Sequence, residues 1–299
     1  MHHRDRSEGH YHYSSKTGFL AVIVLNLLIT ITEYIGGILS GSLALISDAG
    51  HNLSDVLSLI LGYAGEKVSQ KGKSDSFTFG LKRFEVLTAL VNSLSLVIIG
   101  LYIFYEAVER FRNPVSINFF IMLPVAVIGL SGNLMSVFLL RNKKGSDLNL
   151  NVRAALLHLV FDAISSLAVI IAAVIVYFTS NYIIDLAISL VIGVMIIWSS
   201  LSIIKESLRI FLQGVPDHIN SITVYDAIMN VKGVRSLHGL HIWSINSKEI
   251  FLSCHICIDP GFINNSDKII MEINSVLFKK FSIEHTVIQT EFSDFCGII

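Results

Sequence analysis

Two His–Asp pairs carry the chemistry that this sequence can offer. His51 and Asp55 lie four apart in GHNLSD, and His158 and Asp162 lie four apart in LHLVFD. In a helix, residues i and i+4 share one face, one turn apart. Two facing helices of this kind gather two imidazoles and two carboxylates, the number and kind of ligands that tetrahedral Zn²⁺ takes. One HxxxD is weak evidence. Two copies, both deep in apolar segments, are a much stronger signal.

The charges around them sharpen the reading. Glu33, Asp48 and Asp185 are also embedded in apolar segments, and no Lys or Arg accompanies any of these acids there. An ionised carboxylate in hydrocarbon costs at least about 2.5–3.5 kcal/mol. Such acids must be protonated, face water, or be neutralised by a cation from outside. A bound cation that exchanges with protons meets that requirement. The competing explanation is polar glue between helices, but glue does not need four titratable groups. For Glu33, Asp48 and Asp185 the structural explanation is preferred. Glu33 and Asp185 sit near segment ends. Asp48 precedes His51 by three and Asp55 by seven, so it shares their face as a helper, cap or supporting residue.

The elements that position these residues are membrane helices. Of 299 residues, 53% are hydrophobic and 15% charged, against roughly 25% charged in an ordinary soluble domain. Mean hydropathy is +0.66. A net charge of −1 argues against a nucleic-acid partner, and three cysteines make no disulfide framework. About 20 apolar residues span a bilayer, and six segments qualify: 18–38, 43–64, 86–105, 119–140, 154–178 and 182–204. The first is too long for a signal peptide and leads into a second span. Lys67, Lys71, Lys73, Lys82 and Arg83 fall between spans two and three, and Arg141, Lys143, Lys144 and Arg153 between spans four and five. The N-terminal segment adds Arg4, Arg6 and Lys16. By the positive-inside rule both termini are cytoplasmic.

The expected organisation is a polar tail over 1–16, a transport domain over 17–211, and a cytoplasmic α+β domain over 212–299. Within the last, strands are expected at 236–245, 250–258 and 286–292, with helices at 222–230 and 265–281. The order αββαβ fits a ferredoxin-like, split-βαβ domain with both helices on one face of the sheet.

The stretches SLALISDAGHNLSD, FTFGLKRFEVLTALVN and RAALLHLVFDAISSLAVI, with GVPDHI and GVRSLHGLHIWSI in the tail, resemble the cation diffusion facilitator family of metal transporters. The resemblance runs from about residue 17 to about residue 292. It implies a homodimer of six-span protomers in membrane lipid, exchanging Zn²⁺ for H⁺ by alternating access, with His51, Asp55, His158 and Asp162 as the transport site. His in both motifs points to zinc, with Cd²⁺, Co²⁺ or Ni²⁺ as alternative substrates. GEKVSQKGKSDSFTFG has no His, so the second loop site of some relatives is not expected. RNKKGSDLNLN lacks the His-rich loop of vesicular relatives, which fits the bacterial cobalt-zinc-cadmium efflux type in the plasma membrane.

In that family the tail binds a regulatory zinc. The matching positions are His238, His255 and Glu291, with His285 beside the last strand. These can equally be surface or core side chains. The family's Asp after the first tail His is Gly239 here, and His241 with Trp243 reads as packing. Cys254 and Cys257 form CxxC, but on a strand residues three apart face opposite ways. A zinc knuckle is therefore disfavoured, and Cys257 is the cysteine on the face of His255. His2, His3, His10 and His12 belong to the polar tail. Two rival functions are a membrane-anchored metal sensor, which leaves the mid-span residues unexplained, and a membrane metalloenzyme. The latter needs more histidines at the membrane surface than a chain with 11, four of them in the first sixteen residues, provides.

Overall fold

The computed structural model describes residues 16–69, 74–141 and 150–291. Six long helices come first: α1 (Lys16–Ser40), α2 (Leu43–Ser69), α3 (Arg83–Arg112), α4 (Phe119–Arg141), α5 (Leu150–Thr179) and α6 (Ile183–Phe211). Each expected apolar segment lies within one of them, apart from the first residue of the sixth. The helices run past the apolar stretch because a hydropathy window stops where hydrocarbon stops, while the backbone continues into water. The chain divides into two compact units, residues 1–60 with 94–200, and residues 61–93 with 201–299.

In the first unit Ala44 and Leu45 of α2, Met122 and Ala126 of α4, and Ala172 and Ala173 of α5 are buried together. Small residues let helix backbones approach where dispersion rather than the hydrophobic effect drives packing. Large apolar side chains point outward: Ile98 is 68% exposed and Phe120 77%. That inversion of a soluble core suits a lipid surround. Among the described residues, five helical segments are long and apolar enough to cross a membrane: 23–40, 83–112, 119–138, 160–179 and 183–211. The sixth expected span, in α2, is 27 residues long but does not reach that apolarity. Asp48, His51, Asn52 and Asp55 all fall in its first half, so the residues that make the site interesting also weaken its membrane signal.

The tail comprises α7 (Ser221–Met229), β1 (Val234–Ser244), β2 (Ile250–Ile258), α8 (Ser266–Phe281) and β3 (His285–Glu291). Asn220 caps α7 by accepting from the Ile222 amide at 2.9 Å. β1 and β2 are antiparallel, β2 and β3 parallel through the α8 crossover, and the sheet order is β1-β2-β3. Leu252, Cys254 and Ile256 of β2 pack with Ile228 of α7 and Ile273 and Leu277 of α8. Both helices thus cover one face. Residues 251, 253, 255 and 257 lie on the other, as period-two alternation requires. In the same unit, Phe79 meets Phe251 edge-on at 5.5 Å, and Lys82 pairs with Glu249 at 2.6 Å. The first strand starts two residues earlier than expected and the last one residue earlier, because their pairing with β2 begins at Val234 and His285.

Candidate metal centres

His51 and Asp55 project from one face of α2, and Asp162 projects from α5. His51 Nε2 is 3.3 Å from Asp162 Oδ1 and 3.9 Å from Asp55 Oδ2. One ligand atom from each of the three lies within 4.8 Å of the others. A tetrahedral zinc with N and O bonds of about 2.0–2.1 Å has ligand–ligand edges of about 3.3 Å. The separations are therefore on the scale of one shared ion. Asp162 is buried, whereas the His51 and Asp55 side chains keep 25% and 21% of their surface. The group is dry on one side and open on the other. His158 lies one turn before Asp162 on α5, and its side chain falls outside the described residues.

The other three buried acids have distinct partners. Asp48 accepts from Ser165 Oγ at 2.5 Å and Ser166 Oγ at 3.0 Å, and Asn133 donates to Ser166 Oγ at 3.0 Å. Asp185 accepts from Ser42 Oγ at 2.6 Å and the Leu43 amide at 2.7 Å, so a residue of α6 caps the start of α2. Glu33 of α1 accepts from Asn52 Nδ2 at 2.7 Å. Sequence reasoning passed over Asn52, Asn133, Ser165 and Ser166. A signal was present for three of them: Ser165 and Ser166 follow Asp162 by three and four, and Asn52 follows Asp48 by four.

A second group forms on the open face of the tail sheet. His238 and His255 are direct cross-strand partners, their rings 5.1 Å apart. Glu291 on β3 places Oε1 2.7 Å from His255 Nδ1 and Oε2 3.4 Å from His238 Nε2. His238 Nε2 and Glu291 Oε2 are buried and make no hydrogen bond, which costs free energy unless a further group satisfies them. Two imidazoles and a carboxylate with two orphaned atoms fit a divalent metal. Gly239 sits at φ +59°, where the β1 register slips between His238 and His241. A Cβ there would lie 3.3 Å from His255 Cδ2. A side chain at 239 would therefore both strain the left-handed backbone and crowd His255.

The remaining tail candidates lie elsewhere. His285 stacks on Phe251 at 4.5 Å, half-exposed, with Nε2 4.0 Å from Glu249 Oε2. It pairs with residue 251, whereas His255 pairs with Gln289, so it sits at the other end of β3 from the cluster. His241 is exposed, and Trp243 stacks on Phe251. Cys254 is buried in the helix-facing core, and burial pushes its thiol up to about 11. It is neither on the metal face nor a thiolate. Cys257, though on the face of His255, does not enter the cluster, where Glu291 is the third member. His2, His3, His10 and His12 lie outside the described residues.

Apolar, membrane-length helices define a multi-pass membrane protein, and the imidazole–carboxylate group held among them has the ligand set for a cation. The chain matches the cation efflux transmembrane domain over residues 19–212 and the cation efflux protein cytoplasmic domain over residues 216–293. It belongs to the cation efflux, or cation diffusion facilitator, family, whose members are transporters and not enzymes. It is 37% identical to a cadmium, cobalt and zinc/H(+)-K(+) antiporter of Bacillus velezensis, over 95% of this chain and 92% of that one. It is 33% identical to zinc transporter ZitB of Pectobacterium atrosepticum, over 95% of this chain and 89% of that one. Among solved structures, the metal-bound C-terminal domain of the CzcD transporter from Cuprividus metallidurans is 33% identical, over 24% of this chain and 99% of that one, at TM-score 0.23.

Proposed function

We propose that this chain exports Zn²⁺ from the cytoplasm in exchange for H⁺, as a homodimer working by alternating access. The supporting observation is the approach of His51, Asp55 and Asp162, one ligand atom from each lying within 4.8 Å of the others and His51 3.3 Å from Asp162. His158, one turn from Asp162, is the fourth ligand. Cd²⁺, Co²⁺ and Ni²⁺ are alternative substrates that the same N/O set accepts.

The cycle follows from ligand chemistry. Metal needs neutral imidazole and ionised carboxylate, so zinc binding expels protons and proton arrival expels zinc. A neutral cytoplasm loads zinc. A more acidic exterior loads protons on Asp55, Asp162 and the histidines. In both loaded forms the carboxylates are compensated while the helices rearrange, which avoids the cost of bare charge in lipid. Six spans with both termini cytoplasmic, in a bacterial inner membrane, complete the arrangement. The ferredoxin-like tail holds a regulatory zinc on His238, His255 and Glu291, which biases the transporter by differential affinity for its two states.

The test is zinc movement in proteoliposomes with an imposed pH gradient and a trapped zinc dye. The parent concentrates zinc against its gradient. Asp162→Ala reduces the initial rate by about 100-fold or more, the order expected for losing one of four ligands. Parental rates in that variant would overturn the assignment.

A further inference from the structure

The polar seam of the first unit extends beyond the metal group to Glu33. This side chain is 1% exposed. Its Oε2 accepts from Asn52 Nδ2 at 2.7 Å, while Oε1 is buried with no hydrogen-bond partner. The carboxyl lies flat against α4 because residue 129 is glycine: a Cβ there would be 2.0 Å from Oε1. The charged groups that act on it are acids, Asp48 of α2 and Asp162 of α5; α2 also carries His51 and Asp55. From residue 17 to residue 40, α1 carries no other acid or base except Tyr34, and α4 carries none before Arg141. No Lys or Arg bridges to Glu33 among the described residues. While the centre holds no cation, an ionised carboxylate with a single amide donor, an orphaned oxygen and acids for neighbours is not sustainable in a membrane interior.

We propose that Glu33 is a proton-carrying carboxyl of the transport cycle, joined to the metal centre through Asn52, the residue next to His51. The proposal rests on the transport reading above. In the zinc-free state Glu33 holds its proton on the orphaned oxygen. Zinc brings two positive charges to the centre and offsets Asp162. The O–H bond of Glu33 then breaks, its electron pair staying on Oε1 and its proton passing to water at the open side of the centre. When zinc leaves, a proton returns. Glu33 is thus a further seat for the exchanged ion, separate from the ligands that must give up protons to bind metal.

The experiment is calorimetric titration of zinc into the purified full-length protein, in two buffers of different ionisation enthalpy, which counts protons released per zinc. Subtracting the same titration of Asp162→Asn isolates the membrane centre from the tail. Glu33→Gln keeps the side-chain volume and the acceptor for Asn52. It should bind zinc and release about one proton fewer per zinc than the parent, whereas Glu33→Asp restores the count. A purely structural carboxyl would leave the count unchanged in Glu33→Gln, and that result overturns the proposal. Should the Gln variant not fold, infrared difference spectra of the parent serve instead. Zinc should bleach a protonated-carboxyl band that Glu33→Asp shifts in position, and a spectrum without that bleach overturns the proposal equally. If Asp162→Asn binds zinc with parental stoichiometry, the transport-site reading fails and the role of Glu33 falls with it. An intact difference isotherm with an unchanged proton count rejects Glu33 alone.

Discussion

Replacing Asp185 by Ala tests whether α2 is held in place from its first turn. Asp185 is fully buried and accepts from Ser42 Oγ at 2.6 Å, from the Leu43 amide at 2.7 Å and from the Ala44 amide at 3.4 Å. Helix N-termini present amides that have no partner within the helix, and here one carboxylate from α6 serves them. Alanine strands the two short donors, at about 1–3 kcal/mol each. The longer bond and the favourable charge at the helix N-terminus add several tenths more. The expected destabilisation is roughly 3–5 kcal/mol. At about 2–4 °C per kcal/mol for a domain of this size, the melting midpoint in detergent should fall by on the order of 10 °C. Asp185→Asn keeps an acceptor for one amide and should lose about half as much. The loss should also reach the metal centre, since α2 carries His51 and Asp55, so zinc transport by folded Asp185→Asn should show a raised KM. The assay is a fluorescence melt of the purified protein beside proteoliposome transport. A midpoint for Asp185→Ala within about 2 °C of the parent would refute the capping argument.

The tail cluster and the tail cysteine each give a further expectation. In an Asp162→Asn background, where only the tail reports, Glu291→Gln should weaken zinc binding by about 100-fold in calorimetry. Unchanged affinity would remove Glu291 from the site. Cys254, its thiol pushed up to about 11 by burial, is overwhelmingly a thiol at pH 8. Its alkylation by iodoacetamide in the native protein should be at least about 100-fold slower than in denaturant, and equal rates by mass spectrometry would contradict the burial.

Some of this architecture was legible in the sequence for simple reasons. Strand 250–258 matches expectation because nine residues rich in Ile, Leu, Phe and Cys form the central strand, paired with β1 at both ends and with β3 over 251–257. The apolar runs located the long helices because lipid imposes both length and composition. The α2 span was the hardest to support, since the acids and histidine that mark its function offset its hydropathy. Within the centre, His51 and Asp55 were readable from i, i+4 spacing alone. The approach of Asp162 was inferred from a matching motif, not from any contact. The tail cluster needed the register that sets His238 opposite His255, and a parallel β2–β3 pairing that brings Glu291 alongside. Spacing alone gave no reason to separate Glu291 from His285.

What the sequence did not reveal is how differently the five acids of the apolar segments are compensated, because that depends on which helices are neighbours. Asp185 reaches donors 143 and 142 positions away. Asp48 reaches hydroxyls 117 and 118 positions away. In composition the five look alike, but the donors they meet rank them. Asp185 has a hydroxyl and a helix N-terminus for partners, so its role is to hold α2. Asp48 has two hydroxyls and sits one turn from His51, which suits a residue that steadies the centre from behind. Asp55 and Asp162 converge on a single imidazole nitrogen, an arrangement in which a proton or a divalent ion must balance two carboxylates. Glu33 has one amide and an orphaned oxygen, which suits a neutral acid. The demand for an external positive charge therefore rises from Asp185 through Asp48 to the Asp55–Asp162 pair. On the proposed reading a transported cation would satisfy that demand where it is greatest, at the Asp55–Asp162 pair, which among the described residues keeps an opening to water through His51 and Asp55.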